Sequence, residues 1–216
     1  MPLEKIDALS YSQGRFADRH GGKGVCFRLA FLWAATHFVG GEFNYALDKK
    51  GIDVDSTIRE FDAYVAPAAA MIARPGIDWS GDAALHELAG TDAAQAMTFI
   101  NRWGVSFKDR KGKKYGGVKA KAIKQAKASV FLAERTDARV TFILGYYGRD
   151  GGKPMGHATA FSNGRFFDPN HGVYFCRAAT PAAMGADIDV HIAQVETAWS
   201  PTLFLAYELV ETGAPG

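Results

Sequence analysis

Gly156-His157-Ala158-Thr159-Ala160-Phe161-Ser162-Asn163-Gly164-Arg165-Phe166-Phe167-Asp168 is the stretch on which the fold turns. Asn-Gly between two runs of small, β-branched and aromatic residues is the strongest short hairpin signal. Both residues tolerate positive φ, and the turn they make matches the twist of the strands. With Asn163 and Gly164 as the turn, Ser162 pairs with Arg165, Phe161 with Phe166 and Thr159 with Asp168. Side chains alternate along strands, so His157, Thr159, Phe161, Phe166 and Asp168 share one face. Asp168 is then the diagonal cross-strand neighbour of His157, at a separation that side chains can bridge. A wider loop would shift the register and make Asn170 the alternative partner.

Outward from this hairpin, Val140–Tyr147, Val173–Cys176 and Leu203–Val210 also read as strands, being rich in β-branched and aromatic residues. Residues from Pro181 to Val195 read as a helix. Upstream, helices are expected from Cys26 to Val39, from Asp55 to Ala73 and from Gly81 to Arg102. In the first of these, Leu29, Leu32, Trp33 and Thr36 repeat at helical spacing. A polar loop from Lys108 to Gly117 leads into an Ala/Lys-rich segment, Val118 to Leu132, also expected to be helical. Helices first and an antiparallel sheet second make an α+β fold. No linker divides it, so one domain over residues 1–216 is expected, with residues 1–24 as an extended lead-in ending Gly21-Gly22-Lys23-Gly24.

The 216 residues, 48% of them hydrophobic and 15 of them Phe, exclude a disordered chain and supply a sizeable core. Two cysteines 150 positions apart make neither a disulfide framework nor a zinc finger. Without a His-Glu-x-x-His or Cys-x-x-Cys sequence, neither a metal nor another cofactor is expected. No apolar run reaches the ~20 residues of a membrane-spanning helix. Met1 to Gly24 contains no apolar h-region, so the expectation is a cytoplasmic protein, or one that leaves the cell without a Sec signal.

The net charge of +2 hides an asymmetry. From Arg102 to Lys127 ten basic residues face one acid, Asp109, so this segment is +9 and the remainder −7. Such a block attracts an acidic membrane or an acidic protein surface, and Lys108–Lys127 is the candidate contact. Its plainer reading is a solvated loop and a lysine-faced helix. No aromatic stacking platform accompanies it, so nucleic acid is an unlikely partner.

Cys26 opens a helix directly after a glycine-rich turn. Unpaired N–H groups and partial positive charge at a helix start favour thiolate over thiol. Most free cysteines are merely buried small hydrophobes, and Cys176, on a strand, is expected to be one. His157 separates the two cases. If Asp168 accepts one ring N–H, the other ring nitrogen faces a nucleophile, which is the logic of a base and its orienter. An oxyanion needs donors as well. The Cys26 backbone N–H is one, and upstream Gln13 is the preferred second, with His20 the alternative; either is equally readable as a polar loop residue. His37 and His86 fall in expected helices. His171 follows the Asp168-Pro169-Asn170 turn and reads as its cap, and His191 lies in a helix without a nameable partner.

These residues resemble the YopT-type cysteine peptidases, a papain-like family of bacterial effectors delivered into host cells. The matching pieces are Gly24-Val25-Cys26 followed by Leu29 and Trp33, Gly156-His157-Ala158, and Phe167-Asp168-Pro169-Asn170-His171-Gly172. Tyr11-Ser12-Gln13 is a softer match, where the family tends to carry a polar residue ahead of the cysteine. The resemblance implies a papain-like peptidase fold, Cys26 as nucleophile, His157 as general base, Asp168 as orienting acid, and a protein or peptide substrate. Two features depart from the family: the eleven residues between His157 and Asp168 make a tighter connection than usual, and no long N-terminal extension is evident. Two other functions use the same residues differently. A thiol amidase, deamidase or transglutaminase-like acyl transferase would share the thioester chemistry. A non-catalytic domain would bind an acidic partner through residues 102–127, with Cys26 buried.

Overall fold

A computed structural model of the chain describes residues 3–6, 25–38, 85–86, 89–90, 107–108, 114–115 and 118–211. The elements used below are β1 (Glu4–Lys5), α1 (Cys26–Phe38), β2 (Phe107–Lys108), β3 (Lys114–Tyr115), β4 (Val118–Lys124) and α2 (Ala128–Ala133). After them come β5 (Thr141–Asp150), β6 (Lys153–Ser162), β7 (Arg165–Asp168), β8 (Gly172–Phe175), α3 (Pro181–Val195) and β9 (Leu203–Glu211). Seven strands form one antiparallel sheet in the order β1-β8-β7-β6-β5-β9-β4, and β2 and β3 pair separately.

The β6–β7 hairpin has the register expected from its sequence: Ser162 faces Arg165 and Phe161 faces Phe166. Asn163 at φ 51° and Gly164 at φ 75° make the tight turn with both central residues left-handed, the conformation for which Asn-Gly is suited. The same device works one hairpin earlier. Gly151 at φ 53° and Gly152 at φ 85° join β5 to β6, so both strands run longer than Val140–Tyr147 and His157–Phe161.

Alternation along the central strands builds two cores. On one face Ile143, Ala158, Ala160, Phe167, Leu205 and Tyr207 pack against α1, which is buried from Leu29 to Thr36 and half-buried from Cys26 to Arg28. On the other, Phe142, Leu144, Phe161, Phe166 and Ala206 pack with Phe131 and Leu132 of α2 and Ile188 and Ile192 of α3. Trp33 and Phe167 stack at a centroid distance of 5.4 Å, anchoring α1 to β7.

One expected element is different. Val118–Leu132 is not a continuous helix but the edge strand β4, a short connection, and the six-residue helix α2. Ala and Lys favour helices, but the Val118-Lys119-Ala120-Lys121 alternation fits a strand beside β9. A bulge between Ala120 and Ala122 shifts the phase, so that Ala120 and Ile123 both meet the α1-side core. The ladder to β9 outweighs helix propensity, which is worth only tenths of a kcal/mol per residue. The expected helices at 55–73 and 81–102, apart from helical residues 85–86 and 89–90, lie outside the described residues. So do Gln13, His20 and most of the basic loop. Among the described residues no helix is long and apolar enough to cross a membrane.

Candidate active site

β7 pairs with β6 only from Ala160 to Ser162, so β6 continues past the end of its neighbour. His157 is the first buried residue of β6, and the four before it are exposed or half-buried. The start of α1 comes to this step in the sheet. Backbone amides of Ala158 and Phe27 donate to the Cys26 sulfur, and His157 hydrogen-bonds to it. Cys26 therefore comes from the element on one face of the sheet, while His157 and Asp168 belong to the face that packs against α3.

His157 and Asp168 meet as the hairpin register implies. His157 Nε2 lies 3.1 Å from Asp168 Oδ1, with both side chains almost fully buried. Because Nε2 is engaged by the carboxylate, Nδ1 is the nitrogen left for Cys26. Asn170 enters differently from its reading as an alternative partner: its backbone amide donates to Asp168 Oδ1 at 2.8 Å. This bond closes the Asp168-Pro169-Asn170 turn on the carboxylate and helps hold its rotamer. The His171 amide donates to the Asp168 carbonyl at 3.1 Å, so His171 does close this turn.

Electrostatics follow from the geometry. Burial alone would raise the Cys26 thiol, but the charge and hydrogen bond of His157 and the two amides win, and the thiol is held below its ordinary value. Burial would likewise lower His157, yet the Cys26 thiolate and the Asp168 hydrogen bond raise it to about 10. Asp168 is pushed up by burial but held well below the usual carboxylate range by hydrogen bonds from His157 and His191, the His157 charge and the Asn170 amide. The arrangement favours thiolate at Cys26 and imidazolium at His157, backed by a carboxylate. Cys176 is the contrast: it is buried, lies just after β8, and burial together with Asp187 raises it to about 12. The fate expected of most cysteines falls on Cys176, not on Cys26.

A second set of groups supports His157 from β5. The Tyr146 ring meets the His157 ring edge to face at 5.4 Å. Tyr146 Oη donates to Glu196 Oε1 at 3.2 Å, and Trp199 Nε1 donates to Glu196 Oε2 at 2.7 Å. Burial, with Asp168 and Glu196 nearby, keeps the Tyr146 phenol well above its ordinary value, so it remains a neutral donor. Sequence reading missed this group, although Tyr146 lies in an expected strand, Val140–Tyr147. It also missed His191, whose Nε2 lies 3.4 Å from Asp168 Oδ2. The segment from Pro181 to Val195 reads as a helix, but nothing in one sequence ties α3 to β7. His37 is packed on Trp33 at 4.3 Å, with burial and Arg165 lowering it to about 4, so it is a neutral core histidine. No group of residues suited to holding a metal occurs among the described residues.

No protein-family model and no curated protein matches the sequence. The fold is similar to that in the crystal structure of the Pseudomonas avirulence protein AvrPphB, with a TM-score of 0.54 over 94% of this chain and 96% of that one, at 14% sequence identity.

Proposed function

We propose that the protein is a cysteine peptidase of the YopT type, with Cys26 as nucleophile, His157 as general acid and base, and Asp168 as the orienting acid. The observation that carries this reading is the Cys26–His157–Asp168 line, half-buried at the thiol and buried at His157 and Asp168, in which the thiol is held low and the imidazole high. The fold similar to that of AvrPphB supports it, as does the resemblance of the motifs around these three residues to the YopT type.

The chemistry follows in two halves. Thiolate Cys26 adds to the substrate carbonyl, and the C–S bond forms as the carbonyl π electrons move to oxygen. Donors then stabilise the oxyanion: the Cys26 backbone N–H at the start of α1, and Gln13 as the preferred side-chain donor, with His20 the alternative when suitably protonated. Collapse of the adduct breaks the C–N bond, and imidazolium His157 gives its proton to the departing amine. Neutral His157 next takes a proton from water, whose oxygen attacks the thioester. The acid product leaves and the thiolate–imidazolium pair is restored. Asp168 stays ionised throughout and keeps Nδ1 of His157 aimed at the sulfur.

A protein substrate in a host cell is the expected setting for an effector of this type. The Lys108–Lys127 region would hold the enzyme near acidic membrane or an acidic substrate surface, and neutralising Lys111, Lys113 and Lys114 should then weaken binding to anionic vesicles. The main test is labelling with iodoacetamide across pH, followed by peptide mapping. Cys26 should be alkylated below neutral pH and Cys176 spared, and Cys26→Ala should abolish all peptidase activity while the melting transition persists. Equal, slow labelling of both thiols, or cleavage by the Cys26→Ala variant, would sink the proposal.

A further inference from the structure

We propose that His191 is a positioning residue of this site, a fourth side chain that holds the Asp168 carboxylate in the plane His157 requires. The inference rests on the peptidase reading and adds a residue to it from α3, an element outside the three matching motifs.

Asp168 is fully buried and uses both oxygens. Oδ1 accepts from His157 Nε2 at 3.1 Å and from the Asn170 amide at 2.8 Å. Oδ2 faces His191 Nε2 at 3.4 Å, and His191 is itself largely buried. An ionised carboxylate only accepts hydrogen bonds, so this nitrogen of His191 must carry a proton. Without it, half of a buried charge would lose its partner, a cost that shifts a carboxylate toward its neutral form. A neutral Asp168 no longer favours imidazolium at His157, and His157 in turn no longer favours thiolate at Cys26. The effect of His191 thus reaches the sulfur through two intermediates, without contact with substrate.

The imidazole is held for that role on several sides. Its ring meets Tyr174 at 4.8 Å, Phe166 at 5.4 Å and His171 at 5.9 Å. Tyr174 Oη donates to the His171 carbonyl at 3.4 Å, fastening the turn that carries His171. Among the described residues, the titratable groups facing His191 are Asp168 from β7, Tyr174 from β8 and His171 from the turn between them. Burial and Asp168 raise Tyr174 to about 12, so it stays neutral across the working range. Those facing His157, again among the described residues, are Cys26, Asp168 and Tyr146.

The test compares His191→Phe, which keeps an aromatic ring against Phe166 and Tyr174 but removes the donor, with His191→Gln, whose amide nitrogen takes the place of Nε2. Rates of Cys26 alkylation by iodoacetamide are followed from about pH 4 to 10. For His191→Phe the thiolate midpoint should move to higher pH and the rate at about pH 5 should fall about tenfold. His191→Gln should restore most of both. A histidine that only packs would change the melting temperature and leave the midpoint in place, and that result overturns the proposal. Long-range ¹H–¹⁵N spectra of the unmutated protein decide the point even if His191→Phe fails to fold: His191 protonated at Nε2 supports it, and the Nδ1–H tautomer overturns it. An unmutated Cys26 with an ordinary thiol titration would overturn the peptidase reading and this inference together. An activated Cys26 unchanged in both variants would overturn the role of His191 alone.

Discussion

The proton held between Cys26 and His157 sets the pH behaviour. The thiol is lowered below the value of an ordinary cysteine and His157 is raised to about 10, so in the proposed mechanism the active ion pair spans the range between those two titrations. Activity should therefore be bell-shaped. It rises as Cys26 loses its proton on the acid side and falls on the alkaline side as His157 loses its own near 10. An initial-rate profile with no alkaline limb up to about pH 10.5 would contradict this assignment. Asp168 acts on stability as well. Its folded-state value is depressed, so its contribution is present above the ordinary carboxylate range of about 4 and lost as pH falls through the lower folded value. Asp168→Asn should flatten that acid-side loss in melting experiments and cut peptidase activity by at least ~10²-fold.

Among the elements, α2 depends on another helix for its start. Lys127 at its N-cap makes no side-chain cap. Asp189 of α3 supplies one instead, accepting from the Ala128 and Ser129 amides at 3.0 and 3.2 Å. Asp189→Ala should cost about 1 kcal/mol in urea unfolding, the ordinary value of a lost cap. At Gly185 the backbone of α3 lies directly against the start of α2. A Cβ there would lie 2.5 Å from the Ala128 carbonyl oxygen, and the obstacle is backbone, which cannot swing away. Gly185→Ala should destabilise by roughly 1–3 kcal/mol as the helices are forced apart. A wild-type urea midpoint for this variant would show that α2 and α3 are not packed this way. Element identities were legible wherever turn chemistry punctuated them: Asn163-Gly164 set a hairpin, and Thr180-Pro181 started α3 with a hydroxyl cap and a proline in the first turn. Gly151-Gly152 carried the same kind of signal and marks the β5–β6 hairpin. The misread element, β4, had no such punctuation, and its strand state depends on a partner more than eighty residues away.

At the scale of the whole molecule, Cys26 and His157, the proposed nucleophile and base, come from opposite faces of one sheet and meet where β7 ends. Activity therefore depends on how α1 is seated. Trp33, fully buried and stacked on Phe167, is the largest side chain in that seat. Trp33→Ala should cost about 3–5 kcal/mol. Because α1 carries Cys26, thiol activation should fall along with stability. Loss of stability with an unchanged Cys26 alkylation profile would show that α1 is held by other contacts. Sequence alone determined what local chemistry decides. The Asn-Gly turn defines a register, the register puts Asp168 beside His157, and a glycine-rich run into an apolar helix places Cys26 at a helix start. Tertiary structure decided everything that joins segments remote in the chain: the approach of Cys26 to His157, the strand state of β4, the Tyr146–Glu196–Trp199 support and the arrival of His191 at Asp168. Turn and cap preferences act over a few residues and leave their mark in the sequence. Long-range pairing is settled by which buried polar groups find partners when the two cores close, and a single sequence does not record that choice.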